Sequence, residues 1–221
     1  AWAPATLLFD NPKPVVMTSV NGKKIPFGSS DIKALLTYFL HQKASRTSFV
    51  SRRCNVDEWA LREKVRKGQI PKSEYDRIMD SKECRGINAG AFHVILANMI
   101  ALKDRGFIAD LTRDLEVWNQ AIYGYRTQVL AERTNGLSRQ AAPGTMKEVK
   151  VRTTMTYIVE IESTWELTES KAAFRHITYD YWLELDKKNQ IIGGSWISFD
   201  RPDFLWNRTI PEFDDYFEPL K

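Results

Sequence analysis

The apolar residues of this chain change their spacing part-way along, and that change limits the folds open to it. Ile32, Leu35, Leu36, Phe39 and Leu40 recur at three- and four-residue steps, one face of a helix. Phe92, Ile95, Leu96, Met99 and Ile100 repeat the pattern, and Gly106 can end the element. The spacing predicts a helix over 90–104, with a strand through 91–97 as the alternative. From Glu148 onward the period becomes two: Val149 and Val151, then Met155, Tyr157, Val159 and Ile161, then Ile177, Tyr179, Tyr181 and Leu183. Ile191 to Phe199 continues the series, and Asp186-Lys187-Lys188-Asn189 supplies a turn before it. Helices followed by antiparallel sheet predict the α+β class. The expected organisation is one domain over 1–221, with a helical part over about 1–130, a loop rich in Gly, Ser, Ala and Pro at 131–147, and a sheet part over about 148–221.

Shorter signals fill in the first half. Trp2 to Phe9 has the composition of a buried helix but no capping residue before it, so its start is expected upstream of residue 1. Val15–Val20, Asn21-Gly22 and Lys24–Phe27 read as a hairpin with a tight turn. Ser29 or Ser30 is the expected cap of the helix carrying Leu36 and Phe39. Two polar helices are expected at 56–67 and 71–82, closed by Gly68 and opened by Pro71, and a short strand at 107–111.

Composition removes several functions. A net charge of +4 without a basic stripe does not describe a nucleic-acid binder. No apolar run approaches the ~20 residues of a membrane helix. The three histidines are scattered, and no CxxC or HExxH exists, so zinc is a poor fit. Cys54 and Cys84 flank the two polar helices. They would pair in a secreted protein and could be reactive thiols in a cytosolic one. Pairing would staple a helical hairpin with little apolar surface of its own. The sequon Asn207-Arg208-Thr209 is a glycosylation acceptor pattern and leans towards secretion.

Chemistry is expected around His93, which follows Asn88-Ala89-Gly90-Ala91-Phe92, where small residues allow a close approach. A hydrogen-bonded structural histidine at an element start is the competing reading. Asp110 lies in an apolar strand, where a carboxylate is costly unless paired, so it binds a buried donor or orients an imidazole. Together they read as base and orienter of a cysteine or serine triad, with Asp114 as the reserve orienter. No G-x-S-x-G is present. A thiolate favours a helix N-terminus, and the segment that looks like one is Ala1-Trp2-Ala3-Pro4-Ala5, the expected nucleophile and oxyanion region. Val117 to Arg126 is polar and aromatic without a period, and reads as an exposed recognition loop with Trp118 packed down as the bland alternative.

Gly90-Ala91-Phe92-His93, the run Phe107 to Asp114, and Glu116-Val117-Trp118-Asn119-Gln120 resemble the transglutaminase elicitors of plant-pathogenic oomycetes, a family with relatives in marine bacteria. Gly28 to Leu36, Ile192 to Trp196 and Pro202 to Trp206 extend the resemblance over residues 2–206. It implies a secreted or wall-associated enzyme crosslinking protein glutamine to lysine through a papain-like Cys-His-Asp arrangement. The family's cysteine stands just before the Trp of the W-A-P-A segment, which places the nucleophile upstream of Ala1 and makes that upstream segment a partner of this chain. Calcium is implied as a cofactor, and Glu212, Asp214 and Asp215 are the acidic residues that suggest it, with a solvated tail as the alternative. A plant immune receptor is implied as a further partner through the elicitor peptide V-W-N-Q-P-V-R-G-F-K. Val117, Trp118, Asn119, Gln120 and Gly124 match it, Ala121 replaces its Pro, Tyr123 its Arg, and Arg126 its Lys. A papain-like cysteine protease and an interaction protein with secondary catalysis remain the alternatives at this point.

Overall fold

The period-two residues after Glu148 form long paired strands, and the sheet they belong to also recruits much of the first half. The computed structural model describes residues 2–113, 115–159 and 173–221. Its helices are α1 (Trp2–Leu8), α2 (Ser29–Gln42), α3 (Glu58–Arg66), α4 (Lys72–Met79) and α5 (Ala89–Leu96), the last continuing as a π-turn over Ala97–Leu102. Strands β1 (Val15–Thr18) and β2 (Lys24–Phe27) make a separate hairpin. Strands β3 (Thr47–Val50), β4 (Phe107–Asp110), β5 (Asn119–Arg133), β6 (Lys147–Val159), β7 (Ala173–Leu185), β8 (Ile191–Trp196) and β9 (Leu205–Arg208) form one antiparallel sheet in the order β3-β9-β4-β5-β6-β7-β8. The class is α+β, with helices mostly in the first half.

The sheet reaches back past the expected boundary near 130, with β3 and β4 before it and β5 crossing it. The 117–126 segment, expected as a loop, enters β5 at Asn119. Its period is hidden for a physical reason: Ala121 and Ile122 are both fully buried, one on each face, and a bulge between Ile122 and Gly124 shifts the phase. The hairpin is also looser than expected. β1 stops at Thr18, and Ser19 closes the loop through its own backbone and hydroxyl to Lys23, with Gly22 at φ 79°. The cap of α2 is Gly28 rather than Ser29 or Ser30; the Asp31 carboxylate accepts the Gly28 amide at 2.7 Å, and Ser29 is buried in the first turn. The helix expected at 90–104 forms, capped by Asn88, whose side chain accepts from Gly90 and Ala91. Cys54 and Cys84 are bonded and buried, tying the two ends of the α3–α4 unit. Ile161, expected on a strand, and the reserve Asp114 lie outside the described residues.

Alternation along β4 and β5 divides the core in two. Phe107, Ala109, Leu111 and Ile122 face a large cluster with Phe92 of α5 and Tyr179, Tyr181 and Met155 of the long strands. Ile108 and Ala121 face the other way, onto Ala3, Trp2 and Leu7 of α1 and Trp206 of β9. Helices α1 and α5 therefore cover opposite faces of one sheet.

Candidate active site

Helix α1 fixes where chemistry at its leading end would happen. Its last turn lies at the start of β4: Leu7 packs on Gly106, and Tyr123 Oη donates to the Thr6 carbonyl. Its Trp2 end therefore points towards the end of β4, where Asp110 pairs with Asn119. Asp110 has the parity of Ile108, so register sets its carboxylate on the α1 face. The residue is fully buried, and its Oδ1 accepts the Trp118 amide at 2.8 Å. Beside it, Asn119 Oδ1 accepts from Trp206 Nε1 at 2.9 Å. Asp203 locks the same corner: its amide donates to the Asp110 carbonyl, and its carboxylate accepts the Cys54 amide. The leading end of α1, Asp110, Asn119 and Trp206 thus share one mouth. Ala1, the other half of the expected nucleophile region, lies outside the described residues. Asn119 and Trp206 as neighbours of Asp110 follow from register, which a search for base and orienter does not supply.

His93 does not join them. Its Nδ1 lies 2.7 Å from Tyr181 Oη, inside the cluster on the α5 face. Burial holds the Tyr181 phenol above its ordinary value, so it stays protonated, and its Oη also shares a hydrogen bond of 2.7 Å with Thr153 Oγ1. The expected base–orienter pair is not assembled, because Asp110 projects from the other side of the sheet. His93 is hydrogen-bonded, as its bland reading expects, but it stands in the last turn of α5 rather than at an element start. His41 ends α2, and His176 sits exposed on β7 against Thr156.

Burial lowers the His93 pKa below its ordinary value near 6.5. A depressed folded value means that stability is fully present above about pH 6.5 and is lost as pH falls through the folded value. Urea titrations between pH 7.5 and 5 should show this decline in the wild type and a shallower one in His93→Gln. Parallel curves would remove His93 as the titrating group.

In the peptide-like segment, Val117, Trp118, Tyr123 and Arg126 are exposed, whereas Ala121 and Ile122 are inside. Gln120 and Gly124 are half-buried. Ala121 pairs with both Ile108 and Ile158, a central position where proline would lack the ladder's amide hydrogen. Asn207 of the sequon lies in β9, half-buried opposite Ser48.

The acidic tail does not fit the calcium that the resemblance implies. Asp214 and Asp215 both pair with the Lys43 ammonium, which occupies their charge. Among the described residues no three His, Cys, Asp or Glu side chains converge on a common point. Nor is any described helix long and apolar enough to cross a membrane.

An antiparallel sheet with a short leading helix laid over a buried carboxylate defines an α+β protein. The chain matches the transglutaminase elicitor family over residues 1–214 and belongs to it. Among solved structures it is similar to the crystal structure of the GP42 transglutaminase from Phytophthora sojae, with a TM-score of 0.67 and 26% identity. That match covers 97% of this chain and 56% of the GP42 chain, so this chain spans little more than half of its relative. No curated protein matches it.

Proposed function

We propose that this chain carries the acyl-transfer centre of a protein-glutamine γ-glutamyltransferase, joining glutamine carboxamides to lysine amines. The observation that carries the reading is the convergence of the Trp2 end of α1 with the buried Asp110 carboxylate, in a chain of this family and 26% identical to a transglutaminase. The nucleophile is the cysteine that the resemblance sets before Trp2, on the upstream segment. Its thiolate attacks the carboxamide carbon, ammonia leaves, and the thioester is taken by the amine, which frees the thiol. Backbone amides around Trp2 face the developing oxyanion. Asp110, read from the sequence as an orienter, is the carboxylate on this face for the proton transfers: the thiol proton departs with the ammonia, and the incoming amine returns one to the sulfur. His93 does not share that face, so its expected role as base is withdrawn from the proposal. No step is assigned to calcium. The disulfide fits an oxidising, extracellular compartment. A plant receptor meeting the folded chain would read Val117, Trp118, Tyr123 and Arg126.

The test is incorporation of a fluorescent primary amine into a glutamine protein, using the chain extended upstream through the cysteine. Residues 1–221 alone should incorporate none. In the extended protein, Asp110→Asn should lose on the order of 10²-fold or more, the scale of a positioned proton-transfer group, while His93→Gln keeps its activity. Activity abolished by His93→Gln in a protein that still folds would return the base to His93. Peptide cleavage without amine incorporation would make the centre a protease.

A further inference from the structure

Strand β3 is an outer strand of the large sheet, and among the described residues no strand pairs with its free edge. The Arg46 carbonyl accepts the Thr209 amide, so Arg46, Ser48 and Val50 are the residues bonded to β9. By alternation, Thr47 and Phe49 turn their amides and carbonyls outward. Edges are commonly protected by a charge or a proline within the strand; Thr47-Ser48-Phe49-Val50 has neither, and all four are exposed. Phe49 is 62% exposed and stacks on Trp206 with ring centroids 5.7 Å apart. Trp206 in turn packs, as Trp2 does, against the Ala3, Ile108 and Ala121 cluster and donates to Asn119, so an apolar floor runs from the open edge to the mouth at Asp110. Arginines stand at both ends of the strand: Arg46 before it, Arg52 and Arg53 after it, all exposed. The acidic groups nearest in sequence are engaged, Asp57 in capping α3 and Glu58 in pairing with Arg113.

We propose that the edge of β3 is a docking strip for an extended, acidic segment of the protein substrate, added as a strand outside Thr47–Val50; this rests on the transfer reading of the adjacent mouth. Its backbone bonds to Thr47 and Phe49, an apolar side chain lies on Phe49, and its carboxylates meet Arg46, Arg52 and Arg53. An added strand lies three strand spacings from β4, roughly 14 Å, which about four extended residues span. The reactive glutamine therefore stands a few residues beyond the docked strand rather than on it.

The experiment uses fluorescence anisotropy with a short labelled peptide that alternates Glu and Val and ends in a flexible tail carrying one Gln. Methylating single backbone nitrogens in the alternating part should weaken binding about fivefold at every second position and leave the others unchanged. Replacing Glu by Lys, or Phe49 by Ala, should also weaken it, with the Phe49→Ala protein keeping its unfolding midpoint. Binding indifferent to alternate methylation overturns the proposal. So does concentration-dependent dimerisation of the chain that Phe49→Ala abolishes, which would put a second copy on this edge. Binding with this pattern but no amine incorporation by the extended protein would retire the transfer reading alone. Incorporation indifferent to Phe49→Ala and to methylation would retire the docking strip alone.

Discussion

Cys84→Ser lowers the unfolding free energy of this chain by about 3–4 kcal/mol, the loop-closure entropy of a bridge spanning a sequence separation of 30. The α3–α4 unit is where the loss should appear first. Its apolar centre consists of Met79 and the bridge itself, with Val56, Leu61, Tyr75 and Ile78 only partly covered around them. Two polar ties hold the unit to the sheet. Arg113 reaches the Met79 and Cys84 carbonyls and pairs with the buried Glu58 at 3.3 Å, and Asp203 accepts the Cys54 amide. Without the covalent link these ties must bear the ordering entropy of a segment that is mostly charged. Asp203 also donates its amide to the Asp110 carbonyl, so loosening the unit loosens the mouth. Hydrogen exchange should show residues 54–84 opening before the long strands in Cys84→Ser or in reductant. Equal urea midpoints for the variant and the wild type would show that packing, not the bridge, holds the unit.

The sequence made the bridge legible because both ends bear on a local fact, two helices with too little apolar surface to stand alone. The long strands β6 and β7 were legible for the same kind of reason, since each buries one face and so alternates cleanly. What stayed hidden depended on partners far away in the chain. Strands β3 and β9 are four residues each, too short to show a period, and they exist because each supplies the other's ladder. The start of β5 concealed itself by being covered on both sides at Ala121 and Ile122. The separation of His93 from Asp110 is of this kind. Both residues were identifiable as unusual from their immediate surroundings. Nothing in the sequence says that α5 and α1 cover opposite faces, because that follows from the order β3-β9-β4-β5-β6-β7-β8 and from which parity of β4 each helix touches. The motif residues of the resemblance, by contrast, carried the family without any of this geometry.

The position of α5 can itself be tested, through glycines that differ sharply in the room around them. A Cβ at Gly90 would lie 2.3 Å from the Gly193 carbonyl oxygen and 2.5 Å from its carbon; a Cβ at Gly194 would lie 2.6 Å from the Gly90 nitrogen. Backbone meets backbone here, so no side chain can turn away, and α5 must lift from β8. Lifting it breaks the bond from Asn88 Nδ2 to the Gly194 carbonyl and disturbs the Asn88 cap of α5. It also separates Phe92 from the Tyr179, Tyr181 and Trp196 rings, and His93 from Tyr181. Overpacking of about 1–3 kcal/mol and a lost cap of about 1 together predict a loss of about 3 kcal/mol for Gly90→Ala. Gly124 carries as much of the family resemblance, yet a Cβ there meets only Thr156 Cβ at 3.9 Å, so Gly124→Ala should change stability by less than about 1 kcal/mol. Urea midpoints of the two variants measure the contrast directly. A Gly90→Ala protein as stable as the Gly124→Ala protein would mean that α5 does not rest on Gly193 and Gly194, and the assignment of His93 to the face away from Asp110 would fall with that contact.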